Sequence, residues 1–533
     1  MSLSRRALLQ QLSGLFAIPL ARWPEGAFGD LFAPAADPLL GTIVAYQAGR
    51  LRGDYTAQEI TRRAIARCEG MNGRLHAIDG LAGSAMEDAR ASDMRMLQRA
   101  LRGPLDGVPL FAKSIYDVKG MPTTASSAEW AKLFPELSRR DATEVQRLRT
   151  AGAVVLGKTV ADDFAYRGNG TSSLSGQVRN PHDPTGLRTP GGSSAGSAVA
   201  VACGMAFCAL GTDDGGSNRI PAQFTGVVGM KPTFGLVPRG AVIPTWPYLD
   251  THGPLARYVA DAALMLDVLA GYDQSDGLSH RTPWRMGSLA SLQDHALVGV
   301  RLGIVDAHVP REQMTAEARA TFDRAVADCE RAGAIVERCA PAVTRVNYRE
   351  LFAEAARVRG DVSPDPNSPA ATANALQFYF AGQRADYRQA MERALPAFRA
   401  FYDVLPAEWN EVAKIADTPY ERDPAGRSFA RSRDAVVAQL AKSFKAQQLD
   451  ALIYPTMPFA APLAADKWPD IRTALGYGNW LGLPEVSVPA GYSANGMPAG
   501  NLSFVGLPGA DARILNYAHA YEHQAQRFKA PPL

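Results

Sequence analysis

The amino-acid sequence predicts an α/β protein in which helices cover a mostly buried mixed β-sheet. Short apolar runs that suit buried strands alternate along the chain with longer stretches of helical period. The chain has 533 residues, of which 47% are hydrophobic, and this is enough for a large core. A sheet with helices on both faces accounts for these observations, because strands buried on both sides are continuously apolar.

An early helix is predicted to begin after Thr56. Thr56 and Glu59 have the spacing of a capping box, in which the threonine hydroxyl accepts a hydrogen bond from the glutamate N–H. Ile60, Ala64 and Cys68 then recur on one face of the helix that follows.

Four short apolar runs predict buried strands, since each is shorter than an ordinary helix. They are Ala153–Leu156, Val298–Val305, Ala451–Tyr454 and Val486–Val488. The segment SAVAVACG at residues 197–204 is rich in small side chains instead, and it predicts a tightly packed helix.

Between about residues 340 and 430 the sequence becomes helical and amphipathic. This region carries the aromatic residues Phe352, Phe378, Tyr379 and Phe380. Aromatic side chains at helical spacing usually pack in a core. The same is expected of three other aromatic residues that are also candidates for a substrate pocket: Trp246, Tyr248 and Trp480.

Composition excludes several classes of function. The 56 Lys and Arg residues against 53 Asp and Glu residues give a net charge of +3 without a long basic run, so no nucleic-acid partner is expected. The five cysteines lack paired spacing, which argues against a disulfide framework, and Cys203 and Cys208 are expected to be buried. The eight histidines show no H-E-x-x-H pattern, so no metal site is expected.

The N-terminus predicts an export signal over residues 1–36. The segment SRR at residues 4–6 precedes a moderately apolar run at residues 7–21, and APA at residues 33–35 suits a cleavage site. This pattern resembles a twin-arginine signal and predicts a periplasmic or secreted protein, with a basic tail on a cytoplasmic protein as the alternative. The apolar run is shorter than the ~20 residues that span a bilayer, so no integral membrane segment is expected after signal removal.

Two glycine-rich serine segments carry the predicted chemistry. They are GGSSAGSA at residues 191–198 and GTDDGGSNRIPA at residues 211–222, which place Ser193 and Ser217 close together in the sequence. A serine hydroxyl is a poor nucleophile until a base removes its proton, and acyl transfer needs donors for the developing oxyanion. The sequence offers candidate residues both for the base and for the oxyanion donors.

The oxyanion hole is predicted at Asp214, Gly215 and Gly216. The two glycines have no Cβ atoms, so successive backbone N–H groups up to Ser217 can converge on one point. The segment thus predicts Ser217 as the nucleophile, with its anion-binding site directly before it.

The base is predicted to be Lys113, in the apolar segment GVPLFAKSIYDVKG. A lysine acts as a base only when neutral, and lowering its pKa from ~10.4 to near 7 takes roughly 4 kcal/mol, part of which burial supplies. Ser193 would relay the proton between Ser217 and Lys113, because a hydroxyl donates and accepts at once.

These segments, together with VVLGKTVADDFA, THGPLARYVADAALMLDVLAG, DALIYPTMP and LPEVSVPAG, resemble the amidase signature family in order and spacing. The resemblance implies an α/β/α sandwich around a long mixed β-sheet. It places residues 37–533 in a single domain with a variable, mainly helical region at about 340–430. It also implies a triad of Ser217 as nucleophile, Ser193 as bridging serine after a cis peptide bond, and Lys113 as base.

Three positions depart from the family pattern. Ala195 stands where a second glycine is usual, Asp214 where threonine is common, and Asn218 where an aliphatic residue is common. None of them removes a triad member. The Asp214 carboxylate is expected to repel anionic substrates or to receive a cationic group.

Rival motifs on the same residues fail on context. Gly192–Gly196 spells the G-x-S-x-G nucleophile elbow of α/β-hydrolases around Ser194, but the preceding segment RNPHDPTGLRTP predicts a loop where that motif needs a strand. Later histidines could complete such a site, although His252 is expected to be structural. A phosphate loop is excluded because Ser197 occupies the required lysine position.

The sequence therefore predicts an amide hydrolase that cleaves a small-molecule carboxamide to a carboxylate and an amine or ammonia, without a cofactor. A homodimer is left open. Three alternatives remain: an ester or urethane hydrolase with the same triad, a glutaminase-type amidotransferase subunit that passes ammonia to a partner protein, and a non-catalytic binding protein of the same fold. An export signal argues against the amidotransferase role, and the intact triad argues against the binding protein.

Overall fold

The computed structural model describes residues 33–280, 287–339, 375–376, 379–381, 385–402, 422, 424–466 and 476–532. Nearly all of the predicted export signal lies outside these residues. So does most of the helical region predicted at about 340–430, including Phe352 and Phe378.

A mixed sheet of eleven strands forms the centre of the fold, which confirms the predicted class. The strands in chain order are β1 (Ile78–Leu81), β2 (Pro109–Lys113), β3 (Val154–Thr159), β4 (Thr171–Ser172), β5 (Gly176–Gln177), β6 (Cys208–Thr212), β7 (Val228–Lys231), β8 (His252–Ala256), β9 (Arg301–Ile304), β10 (Ile335–Arg338), β11 (Ala451–Pro455), β12 (Glu485–Tyr492) and β13 (Pro498–Val505). Strands β4 and β5 form a separate hairpin. The order across the sheet is β1-β3-β2-β6-β8-β7-β12-β13-β11-β9-β10.

Parallel and antiparallel pairs alternate in blocks along this sheet. Strand β2 is parallel to β3 and β6, and β9 is parallel to β10 and β11. The other neighbouring strands are antiparallel. Because β2 and β6 run in the same direction, their carboxyl ends meet at one edge of the sheet.

Helices pack against this sheet. In chain order the α-helices are α1 (Ile43–Arg52), α2 (Ala57–Leu75), α3 (Ala85–Leu97), α4 (Ala128–Leu133), α5 (Thr143–Thr150), α6 (Ala195–Ala202), α7 (Arg219–Thr225), α8 (Val259–Leu269), α9 (Ala316–Arg331), α10 (Tyr387–Tyr402), α11 (Pro424–Ala446) and α12 (Asp511–Ala525). One buried apolar cluster of the described residues extends from Leu39 to Ala525.

The two helices predicted after Thr56 and in the small-residue segment at 197–204 are confirmed. The Thr56 hydroxyl accepts a hydrogen bond from the Glu59 N–H at 3.1 Å, and Ile60, Ala64 and Cys68 are buried on the following helix α2. All residues of α6 are buried, as its small side chains predict. Cys203 and Cys208 are buried as free thiols.

Three of the four predicted strands are confirmed as parts of β3, β11 and β12. The run Val298–Val305 is only partly a strand, since β9 begins at Arg301. Val298 is 68% exposed in a turn, and Gly299 has a φ of +75°, which a continuous strand does not permit.

The aromatic residues that the structure describes pack as predicted. Tyr248 and Phe380 are buried, and Phe380 stacks on Trp130 at 5.5 Å between ring centroids. Trp246 and Trp480 are half-buried against the main cluster.

Candidate active site

Lys113 lies at the centre of the candidate site. It is the last residue of β2, its side chain is fully buried, and its Nζ donates hydrogen bonds to Ser193 Oγ at 2.7 Å and to Thr212 Oγ1 at 2.8 Å. Thr212 ends the parallel neighbour β6, so the topology of the sheet brings the two side chains together. Sequence reasoning did not identify Thr212, because this contact depends on strand order.

Burial lowers the pKa of Lys113 to about 8, because an ammonium group is poorly stabilised away from water. Four carboxyl groups oppose this effect and favour the charged form: Asp214, Asp162, Asp213 and Asp250. A lysine in this environment is partly neutral near pH 7 and can accept a proton.

Ser193 lies in the loop directly before helix α6. The Gly192–Ser193 peptide bond is cis, as the family resemblance implies, and the Ser193 side chain is fully buried. The Ser193 carbonyl accepts a hydrogen bond from the Asp162 N–H at 3.3 Å. Burial raises the pKa of the Asp162 carboxyl to about 7, against the opposing charge of Lys113.

Ser217 lies just before helix α7 and is 6% exposed. Its carbonyl accepts a hydrogen bond from the Ser194 N–H at 3.2 Å, so the two glycine-rich loops are in direct contact. Within the described part of the chain, no hydrogen bond joins the hydroxyls of Ser193 and Ser217. The structure therefore brings Lys113 and Ser193 together and leaves the contact to Ser217 unformed. Such catalytic hydrogen bonds often tighten only when substrate binds.

One of the backbone N–H groups predicted to form the oxyanion hole, that of Gly216, is not free. Gly216 has a φ of +100°, a conformation that glycine adopts without strain. Its N–H, predicted to be an oxyanion donor, is already engaged by Asp213 Oδ1 at 2.7 Å. The N–H groups of Asp214, Gly215 and Ser217 have no acceptor among the residues that the structure describes.

The Asp213 carboxylate anchors this loop, a role that sequence reasoning missed. It accepts hydrogen bonds from the N–H groups of Gly216 and Asn218, and from the Arg219 guanidinium at 2.9 and 3.0 Å. Arg219 also pairs with Glu485 at 2.8 Å, and all of these side chains are fully buried. Burial alone would raise the pKa of Asp213, but the charge and hydrogen bonds of Arg219 outweigh it and hold the pKa well below its usual range.

The three residues that depart from the family pattern are all buried. Asp214 is only 2% exposed, and its expected effect on the charge of the substrate stays a prediction. Asn218 donates to the Met230 carbonyl at 2.9 Å, and its Oδ1 lies 3.2 Å from the Ser194 hydroxyl oxygen. Ala195 is the buried first residue of α6.

The rival elbow motif is excluded by its surroundings. The described residues from Val178 to Ser193 contain no strand, and the Ser194 hydroxyl is fully buried, where it donates to the Thr212 carbonyl at 3.2 Å. His252 is a buried partner of Glu144, with 2.5 Å between Nδ1 and Oε1, as expected of a structural histidine.

Two cavities lie near the site without containing it. A cavity of about 640 Å³ is bordered by Asp250 and His252, and one of about 350 Å³ is bordered by Trp130 and Phe380. Ser217 lines neither of them. In the described ranges, no three His, Cys, Asp or Glu residues are grouped so that they could hold a metal ion. No helix in the same ranges is long and apolar enough to cross a membrane.

Comparison with known proteins finds relatives that match almost the whole chain. A family model described as Amidase matches residues 59–515. A glutamyl-tRNA(Gln) amidotransferase subunit of Symbiobacterium thermophilum is 36% identical over 503 residues, which cover 90% of this chain and 96% of that protein. The Moorella thermoacetica protein of the same name is 33% identical, with the same coverage. The crystal structure of peptide amidase from Stenotrophomonas maltophilia has a TM-score of 0.75 at 31% identity, and the match covers 94% of this chain and 99% of that one.

Proposed function

Because this chain belongs to the amidase (amidase signature) family, we propose that it hydrolyses a carboxamide through an acyl-enzyme on Ser217. Ser193 relays the proton and Lys113 is the base. The observation that carries this proposal is the 2.7 Å contact between Lys113 Nζ and Ser193 Oγ, made by a buried lysine whose pKa is lowered to about 8.

The first step forms the acyl-enzyme precursor. Neutral Lys113 accepts the proton of the Ser193 hydroxyl, Ser193 accepts the proton of Ser217, and Ser217 Oγ attacks the amide carbonyl carbon. Negative charge develops on the carbonyl oxygen. The free N–H groups of Asp214, Gly215 and Ser217 are the donors available to it, and loss of one such donor typically costs about 100- to 1000-fold in rate.

The second step expels the amine. Protonated Lys113 returns its proton through Ser193 to the leaving nitrogen as the carbon–nitrogen bond breaks, because an amine anion is a poor leaving group. Water then loses a proton along the same path, attacks the acyl carbon, and releases the carboxylate and the Ser217 hydroxyl.

A matched substrate series tests this proposal. Purified protein is assayed on an amide, an ester and a carbamate that share one acyl group. The proposal predicts turnover of the amide that Ser217→Ala abolishes. Faster turnover of the ester or carbamate, with little turnover of the amide, would favour an ester or urethane hydrolase. No turnover of any of them by folded protein would contradict the proposal and favour a non-catalytic role.

A second candidate is the role of an amidotransferase component, because relatives at 33 to 36% identity carry that name. In this role the same acyl-enzyme chemistry would release ammonia from an amide donor for transfer on a partner protein. Copurification of a partner that stimulates ammonia release would favour the amidotransferase role. Efficient turnover by the isolated chain would favour the hydrolase.

The cellular location also separates the two candidates. We propose export through the twin-arginine pattern at residues 4–6. Fractionation of cells that express the full chain, beside an Arg5→Lys, Arg6→Lys variant, tests this. Protein in the periplasm that the variant retains in the cytoplasm would exclude a role in cytoplasmic transamidation, whereas equal retention of both would restore it.

A further inference from the structure

Asp214 lies just after the end of strand β6, and Asp250 lies just before the start of its neighbour β8. These strands are antiparallel with Thr212 opposite His252, and the Asp213 N–H continues the ladder to the Thr251 carbonyl at 2.7 Å. The next pair in this register is Asp214 and Asp250. Residues opposite each other in an antiparallel ladder have Cβ atoms about 4.5–5.5 Å apart, and like charges there destabilise the pair.

Both carboxyl groups are buried, at 2% exposure for Asp214 and 5% for Asp250. The Asp250 oxygens accept hydrogen bonds from the N–H groups of Thr245 and Trp246, at 3.1 and 2.9 Å. With both carboxyls ionised, neither oxygen of Asp214 has a donor among the described residues. A hydrogen bond between the carboxyl groups of Asp214 and Asp250 therefore requires a proton on one of them.

We propose that Asp214 and Asp250 share one proton and that this hydrogen-bonded pair positions the loop that carries Ser217 beside Lys113. The positioning role rests on the proposed amide hydrolysis, whereas the shared proton does not. Asp214 is the natural donor, because Asp250 already accepts two backbone hydrogen bonds.

Two neighbouring aspartates, Asp213 and Asp214, would then hold the loop that carries Ser217 from opposite sides. On one side, ionised Asp213 binds Arg219 and the N–H of Gly216. On the other side, the proposed shared proton joins Asp214 to Asp250, two residues after Thr212, whose hydroxyl accepts a hydrogen bond from Lys113 Nζ. Adjacent carboxyl groups in the chain thus have opposite protonation states, which their opposite environments impose.

Several charged groups face this pair. Lys113 and Asp213 act on Asp214, while Asp162 adds a further negative charge near Lys113. Burial, followed by the charge of Asp250, raises the pKa of Asp214 well above its usual value. The Tyr116 hydroxyl, whose pKa burial raises, lies within the field of the pair and stays neutral.

Three substitutions at one position test the positioning role. Asp214→Thr and Asp214→Asn keep a donor for Asp250, whereas Asp214→Val matches threonine in shape and has none. We expect kcat/KM on an amide to be about tenfold or more higher for the threonine variant than for the valine variant, because the latter leaves a buried carboxylate short of a donor. Equal values for these two variants, with both folded, would overturn the positioning role.

Stability against pH tests the shared proton without any need for turnover. A raised folded-state pKa gives stability that is lost as pH rises above the unfolded value of about 3.9. The folding equilibrium constant of the wild type relative to Asp214→Asn should therefore fall with pH, by up to about tenfold per pH unit. A ratio that is constant or rises above pH ~5 would overturn the shared proton.

The infrared difference spectrum gives a second, structural readout. At neutral pH, wild type minus Asp214→Asn should contain the carbonyl stretch of a protonated carboxyl group, while wild type minus Asp213→Asn should contain carboxylate bands only. Carboxylate bands in both spectra would overturn the proposal. An absence of turnover in the wild type, together with the protonated band, would refute the proposed function and leave the shared proton established.

Discussion

Two buried lysines lie on neighbouring strands of the same sheet, and only one of them is the proposed base. Lys113 ends β2, and Lys158 lies in β3. Burial lowers the pKa of each to about 8. Ala112 is the register partner of Lys158 and Thr159 that of Lys113, so the two side chains project from opposite faces of the sheet.

The partners of the two ammonium groups differ. Lys158 Nζ donates to the Pro122 carbonyl at 2.7 Å and to the Thr123 hydroxyl at 2.9 Å, and the nearby Asp117 carboxyl favours its charged form. A carbonyl oxygen has no proton to pass on. The Thr123 hydroxyl is itself committed to Asp117 at 2.7 Å. A lowered pKa is therefore not sufficient for a catalytic base. The hydroxyl that is hydrogen-bonded to the lysine must also be able to pass on a proton from the nucleophile.

The largest expected effect is a difference in kcat between variants of the two lysines. Lys113→Met should lower kcat on an amide by about 1000-fold or more, because it removes the base while keeping the apolar stem. Lys158→Met removes an equally buried ammonium group and should retain kcat within about tenfold. Steady-state kinetics, normalised to the folded fraction from circular dichroism, check this. Equal losses in the two variants would break the comparison.

The neighbouring serines Ser193 and Ser194 should also differ in their effect on kcat. Ser193→Ala should lower kcat by about 100-fold or more, because it interrupts the proposed proton path. Ser194→Ala removes a buried hydroxyl that bonds Thr212 and Asn218, and it should mainly cost stability, about 1–3 kcal/mol. Kinetics and thermal unfolding on both variants make the test. A larger loss of kcat in Ser194→Ala would restore the rejected elbow motif.

The pH dependence of the reaction should report Lys113 alone. Because the neutral form is the base, kcat/KM should rise with pH through about 8 and fall about tenfold per pH unit below it. Lys158→Met should leave this midpoint unchanged, even though the pKa of Lys158 is also about 8. A midpoint that moves in Lys158→Met would assign part of the chemistry to the wrong face of the sheet.

The smallest expected effect concerns a hydrogen bond beside Lys158, where we expect a role in stability and not in catalysis. The Tyr379 hydroxyl donates to Asp117 at 2.9 Å, beside Lys158. Tyr379→Phe should lower the free energy of unfolding by about 1 kcal/mol, the usual value of one hydrogen bond, with kcat preserved. Unfolding midpoints and kinetics check both halves. A fall in kcat without a loss of stability would contradict a purely structural role for the Lys158 cluster.

Much of the fold and of the proposed triad could be predicted from sequence, for local reasons. The apolar run of β3, the capping box of α2 and the small residues of α6 each act over a few positions. Lys113, Ser193 and Ser217 stand in motifs whose letters carry the family resemblance.

What the sequence could not show depends on register. Thr212 contacts Lys113 because β6 lies beside β2, and Asp250 faces Asp214 because β8 lies beside β6. The binding of Arg219 to Glu485 joins residues 266 positions apart. The commitment of the Gly216 N–H to Asp213 follows from loop conformation, which a glycine-rich motif leaves open.

The central claim is that Lys113 activates Ser217 and that Lys158 does not. It is tested most directly by labelling with a serine-reactive fluorophosphonate, which forms an oxygen–phosphorus bond to an activated serine and releases fluoride. Wild type, Lys113→Met and Lys158→Met are treated in parallel and the adduct is mapped by peptide mass spectrometry. We predict rapid labelling of Ser217 in the wild type and in Lys158→Met, and its loss in Lys113→Met. Labelling of Ser194, or equal labelling of Ser217 in all three proteins, would contradict this account.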